Sequence, residues 1–233
     1  MGVSLDCTLD TVTIALGMYC LYPDILGARM NVIPTEAALE HLLALAAYCI
    51  ATSITPGPNN MILAASGATF GFRRTVPNML GIIAGFGTLL LLAGMGGEAL
   101  LRAVPSLELA LKVGGVAYLL YLAWKIGTAG RPEAGSRARP LGFWQAAAFQ
   151  FINPKGLAMA VSAHATFRFP EFGHWGSILT VTGMFLFVGM PCTLIWTLFG
   201  QGVGRWLHDD RRLRLFNGGL GLATAASALL LVL

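Results

Sequence analysis

Lys155 is the one charged side chain that falls well inside an apolar stretch of this chain, where it closes the triplet N-P-K at 153–155. An ionisable group at such depth is costly to bury, so it is expected to act on something, and a carboxylate is the natural partner of an ammonium. Its four-carbon stem also permits the blander role of reaching an interface. Nine residues on stands His164, flanked by Ser162 and Thr166. A histidine titrates near neutral pH and suits proton transfer, although a packed, neutral ring fits the sequence equally well. A second polar cluster, T-P-G-P-N-N over Thr55 to Asn60, interrupts the apolar run from Ala44 to Phe70. Two prolines around a glycine cannot continue a helix, because proline lacks the N–H and its ring clashes with the carbonyl one turn back. Backbone freed in this way inside hydrocarbon is tolerated only where protein or a water-filled cavity satisfies it. Pro58 followed by Asn59 and Asn60 has the form of a new half-helix, whose N-terminus can face an anionic group. A simple kink is the lesser reading, since P-G-P-N-N frees more groups than a kink needs.

Other chemistries are poorly supplied. The four cysteines, Cys7, Cys20, Cys49 and Cys192, show no C-x-x-C or metal-ligand spacing. A thiol relay would want one in each broken segment, and the second has none. Four histidines without an Asp or His cluster give a metal little to bind, and no H-E-x-x-H or G-x-S-x-G appears. No cofactor, metal or enzymatic activity is expected. Glu98 and Glu108 fall at the ends of apolar segments, which leaves His164, Lys155 or a bound solute as proton carriers.

The elements that must position these residues are membrane spans. With 56% hydrophobic residues, 11% charged and a mean hydropathy of +0.70, the chain has too little polar surface for a soluble domain of 233 residues. The net charge of +4 is then a topology signal before it is a sign of nucleic acid, which is not an expected partner. Apolar segments run over 37–71 (broken), 77–97, 107–126, 141–167 (broken), 176–200 and 215–233. An all-α integral membrane fold of six transmembrane helices follows. The halves, 36–129 and 141–233 around a linker at 130–140, resemble each other at an offset of 97 residues: Ala68-Thr69-Phe70 falls on Ala165-Thr166-Phe167, and Pro56-Gly57-Pro58 on Asn153-Pro154-Lys155. Gly114-Gly115 has a counterpart in Gly218-Gly219. Three spans per half is an odd number, so the halves form a 3+3 inverted repeat with the first and fourth helices broken.

Charge agrees. If every segment crosses once, Arg73, Arg74, Lys125, Arg131, Arg137, Arg139, Arg205, Arg211, Arg212 and Arg214 share one side, against Arg29, Arg102, Lys112 and Arg168 on the other. The richer side belongs in the cytoplasm, with both termini outside. Re-entrant broken segments would spread the charge more evenly. Trp124, Trp144, Trp175 and Trp206 fall near span ends, and only Trp196 is interior. Small residues four apart, Gly67 and Gly71 or Gly81 and Gly85, allow close helix packing, and Pro191 is expected to kink the fifth span. Residues 1–35 read as an extension, non-native or disordered, with Met30 as an alternative start.

S-I-T-P-G-P-N-N, then S-G-A-T-F-G-F-R-R-T and G-I-I-A-G, A-Y-L-L-Y-L-A-W-K-I, and F-Q-F-I-N-P-K-G together resemble the LysE/RhtB family of amino-acid exporters over about residues 36–233. The P-G-P-N-N form with F-W-Q-A-A-A-F-Q-F-I-N is most similar to its cysteine/O-acetylserine branch. The resemblance implies a single transporter domain that exports a neutral or basic amino acid, of the cysteine/O-acetylserine, threonine/homoserine, leucine or lysine class, across a bacterial inner membrane by proton antiport. It carries substrate-binding roles to Pro56, Gly57, Pro58, Asn59, Asn60, Gln150, Asn153, Pro154 and Lys155, while His164 stands as a candidate proton carrier on its own chemistry and not on the resemblance. In the expected site the substrate carboxylate meets Lys155 and the half-helix at Pro58, and freed carbonyls of Pro56 and Gly57 accept its ammonium. The expected surroundings are lipid, with a homodimer compatible. The alternative is a membrane scaffold or redox-linked component that moves no solute.

Overall fold

The computed structural model describes residues 36–97, 103, 105–130, 139–207 and 209–229, all helices and their connections, with no strand among them. The expectations for residues 1–35, Cys7 and Cys20 included, and for most of the linker lie outside the described residues. The chain divides into two compact units, Met1–His41 and Leu42–Leu233, and the second carries both expected breaks.

Among the described residues eight α-helices run in chain order: α1 Glu36–Ile54, α2 Pro58–Phe70, α3 Phe72–Leu92, α4 Pro105–Gly127, α5 Phe143–Phe149, α6 Pro154–Thr166, α7 Gly173–Trp206 and α8 Asp210–Leu229. A π-helical turn, Ala93–Gly97, ends α3, and a 3-10 turn, Pro170–Phe172, leads into α7. Each break is followed by a helix that opens on proline, where the missing N–H costs nothing. The first bends the chain by 54° between α1 and α2. Three helical stretches, 72–96, 109–127 and 170–206, are long and apolar enough to cross a membrane, and the bent α1–α2 pair makes a fourth. The expected fourth segment is divided between two short helices, and the described part of the sixth opens on the polar D-R-R-L-R. α7 runs through Pro191 as one 34-residue helix, about 51 Å at 1.5 Å per residue, and so extends beyond the expected fifth span at both ends.

Small residues set how closely these helices approach. Gly67 of α2 faces the backbone of Thr197, and Gly200 and Gly204 of α7 face the carbonyls of Ala64 and Ala68. On α3, Gly81 faces the carbonyl of Phe143 and Gly85 that of Ala147. Gly115 of α4 faces the carbonyl of Ile152, whereas its sequence counterpart Gly219 has open space where a side chain would be. Backbones in such contact gain dispersion energy that larger side chains would forfeit.

These contacts fix relative heights. Ala68 against Gly204, together with Asn217 donating to Thr69 Oγ1 (3.1 Å) and the Ala129 carbonyl (2.9 Å), gathers the ends of α2, α4 and α7 and the start of α8. Arg73, Arg74, Lys125, Arg139, Arg205, Arg211, Arg212 and Arg214 flank these residues in sequence and so cluster at that end. α5 and α6 climb alongside α3 from Gly81 to Gly94, which packs against His164 at the opposite end. Gly115, near the middle of α4, touches Ile152 and so puts the second break at mid-height. Outward faces remain apolar, with Phe187 80% and Leu222 74% exposed.

Gly200→Leu should drive a side chain into the α2 backbone and cost about 1–3 kcal/mol or more, read as a lower unfolding midpoint of purified protein in mild detergent. Gly183→Ala, which meets open space inside the same helix, should leave the midpoint unchanged or raise it slightly through better helix propensity.

Candidate functional site

A helix that stops inside an apolar layer leaves its last carbonyls without intrahelical donors. At the end of α1 every carbonyl from Thr52 to Gly57 has found one. Thr55 Oγ1 donates to Thr52 (2.9 Å), Asn60 Nδ2 to Ser53 and to Thr55 (2.8 Å each), and Trp196 Nε1, from α7, to Ile54 (3.1 Å). Lys155 Nζ, from α6, donates to the Thr55 carbonyl and to Thr55 Oγ1, both at 2.9 Å, and reaches the Pro56 carbonyl at 3.5 Å. The Gly57 carbonyl accepts the Met61 N–H at 2.9 Å and closes the first turn of α2.

Two contacts here add to the expected site. Gly57 offers no free carbonyl, because the new helix uses it. Lys155 sets its own ammonium on the freed carbonyls of Thr55 and Pro56. Gly57 permits this: a Cβ there would lie 2.7 Å from Lys155 Cδ and 3.0 Å from Nζ. Its φ of −172° is open to any residue, so the constraint is the lysine crossing over it.

The asparagines divide their roles. Asn60, buried, staples α2 back onto α1. Asn59 faces the other half, where its amide exchanges two hydrogen bonds with Gln150, Nδ2 to Oε1 at 2.9 Å and Nε2 to Oδ1 at 3.1 Å. Gln150 is fully buried and also donates to the Ala146 carbonyl at 3.0 Å. Each break is thus held by the other. Pro56, Pro58 and Pro154 act through the backbone they interrupt.

Beside the breaks lies a cavity of about 60 Å³ lined by Asn59, Asn60, Asn153, Lys155 and Gly156, with Thr52, Cys192 and Thr193 among its other walls. At about 10–15 Å³ per probe-sized water, it holds a few solvent molecules. Asn153 is 1% exposed and its Oδ1 has no hydrogen-bond partner. An unpaired buried acceptor costs about 1–3 kcal/mol, so this oxygen is available to a ligand's donor. His164 is not in this cavity. It stands nine residues further along α6, about 13 Å at 1.5 Å per residue. Cys49 and Cys192 are free and buried, and among the described residues no His, Cys, Asp or Glu group could hold a metal.

Trp196 and Thr55 are parts of this site that the motif positions do not include. A lone interior tryptophan was the available signal, since a buried indole N–H must find an acceptor.

Broken helices that cross-brace at mid-height beside a small cavity are the construction of membrane transporters. A family model for LysE type translocators matches residues 50–233, and the chain belongs to that family. It is 33% identical over 154 residues to the cysteine/O-acetylserine efflux protein of Escherichia coli (strain K12), covering 66% of this chain and 79% of that protein. Against the cysteine/O-acetylserine efflux protein of Salmonella typhimurium (strain LT2) the identity is 30% over 169 residues, covering 72% of this chain and 87% of that one. No solved structure matches it.

Trp196→Phe, which keeps a ring but strands the Ile54 carbonyl, should cost about 1–3 kcal/mol. A double-mutant cycle of Asn59→Leu and Gln150→Leu should give a coupling of about 0.5–3 kcal/mol. Reversible denaturation in mixed micelles measures both.

Proposed function

We propose that the protein exports a small zwitterionic amino acid, of the cysteine/O-acetylserine kind, across a bacterial inner membrane. The observation that carries this reading is Lys155 Nζ seated on the Thr55 and Pro56 oxygens. Those oxygens bind an alkylammonium in this structure, and an amino acid brings another. When the substrate's ammonium takes the carbonyls, the lysine side chain is released, and its charge is then free to meet the substrate's carboxylate. One site thereby recognises both ends of a zwitterion and rejects solutes that carry only one. Asn153 Oδ1, unpartnered in the wall, adds an acceptor for the incoming ammonium. The small cavity suits a short side chain better than leucine or lysine, in keeping with the substrates named for the bacterial relatives.

Transport requires two faces, and a 3+3 inverted repeat supplies them. Its support here is pairwise packing between sequence counterparts, α3 with α7 and α4 with α8, and breaks that brace one another. Residues 36–233 then form one transport domain that rocks about the breaks. The basic end faces the cytoplasm, which leaves both termini outside. His164 is the proton carrier of an antiport cycle: its Nε2 is buried without a hydrogen-bond partner and so has an acceptor to offer a proton. Nothing in the geometry favours a scaffold or thiol relay.

Cells that overexpress the protein, preloaded with labelled cysteine, O-acetylserine, threonine, leucine or lysine, should release cysteine or O-acetylserine faster than controls. Lys155→Ala, at matched levels of inserted protein, should lower that release at least tenfold. Release of none of the five, or full release by the variant, overturns the reading.

A further inference from the structure

A larger cavity lies away from the breaks, at the end of the molecule opposite the basic cluster. It measures about 490 Å³, some eight times the central one and within the range of small-molecule sites. The last turns of α6, the π-turn, residues 168–170 and the start of α7 enclose it, and its polar side chains are His164, Arg168, His174 and Ser177. Among the described residues no carboxylate lines it.

Two of these groups are held in place. A Cβ on Gly94 would lie 2.9 Å from His164 Cε1, so the glycine lets the imidazole approach the π-turn closely. His164 Nε2 is buried without a hydrogen-bond partner, and an unprotonated imidazole nitrogen is an acceptor. Ser177 Oγ accepts the Phe169 N–H at 3.0 Å, and Phe169 stacks on Phe172 at 5.8 Å, which fixes the segment that carries Arg168. The cavity thus joins an exposed guanidinium on a held segment to a buried acceptor. In the other half, the corresponding stretch of α2 borders a smaller pocket, about 70 Å³, again with cations, Lys125 and Arg139.

The geometry points to a second amino-acid site at this end of the molecule, in which Arg168 binds the carboxylate and His164 Nε2 accepts a hydrogen bond from the ammonium. It rests on the export reading for its role, as the station from which substrate leaves. Protonation of Nε2 removes the acceptor and adds a like charge, so a proton entering there expels the ammonium. Among the described residues, the other charged or titratable groups on the elements around that ring are Arg168, Glu171 and His174 on the following segment, Tyr48 of α1 and, two and a half turns back, Lys155; the end of α3 and the π-turn contribute none.

Trp175 reports on the site, its ring centroid 5.6 Å from that of His174. Full-length protein in lipid nanodiscs is titrated with L-serine, propionate, ethanolamine and inorganic phosphate, with Trp175→Phe as the blank. Serine should saturate the signal, and propionate and ethanolamine should bind at least tenfold more weakly. Arg168→Gln and His164→Leu should each raise the apparent Kd for serine at least tenfold, with partial recovery in Arg168→Lys. A serine Kd within twofold of wild type in folded, monodisperse Arg168→Gln overturns the proposal. So does phosphate binding as tightly as serine with no effect of His164→Leu, the signature of a lipid headgroup. Efflux assays separate the two readings: export without Arg168-dependent binding sinks only the second site, and Arg168-dependent binding without export sinks only the transport role.

Discussion

Everything at the centre of this protein answers one constraint: a backbone broken inside an apolar layer must have its carbonyls satisfied by something other than water. P-G-P at 56–58 makes the break unavoidable, since neither proline can supply an N–H and the first cannot sit inside a continuing helix. Six successive carbonyls then need donors. Two are met from close by, through Thr55 and Met61; the rest draw on Asn60, Trp196 and Lys155, which reach in from three different helices. The break is therefore a hub that pins α2, α6 and α7 to the end of α1.

A hub built this way is costly to rearrange unless one of its donors can be replaced in kind. Asn60 and Trp196 are short or rigid, and their withdrawal would leave carbonyls bare. Lys155 differs. Its stem is long, it is only half buried, and its ammonium is the same chemical group that an amino acid carries. Exchange of one ammonium for another keeps the carbonyls satisfied throughout, so the hub can change occupant without the desolvation penalty that would otherwise trap it. Gly57, smooth under the lysine stem, is what leaves that path open.

Much of this was legible in the sequence because it is written in residues with few conformational options. Proline and glycine mark a break whatever surrounds it, and the 97-residue offset pairs one break with the other. Lysine in an apolar run announces a function, and clustered arginines announce an end. What the sequence could not supply is pairing. Asn59 and Asn60 are neighbours of one type, yet one looks across to Gln150 and the other back to α1, a choice made by the direction in which α2 leaves the bend. Lys155 reads as an anion's partner because its charge is visible in sequence and the carbonyls that neutralise its need for hydrogen bonds are not. Trp196 breaks the interfacial pattern of the other tryptophans; it is interior because its N–H is required at Ile54.

The arrangement also limits what the central cavity can discriminate. Backbone carbonyls recognise an ammonium without regard to the side chain behind it, and a released lysine recognises a carboxylate equally broadly. Selection among amino acids must then come from the walls, where Met159, Phe86, Ile82 and Cys192 close the space around about 60 Å³. Apolar walls separate substrates that differ by one methylene by only about 1–3 kcal/mol. On the proposed export reading, a site of this construction would accept a set of short amino acids and exclude long ones by volume, which makes its specificity a ceiling on size rather than a match to one molecule.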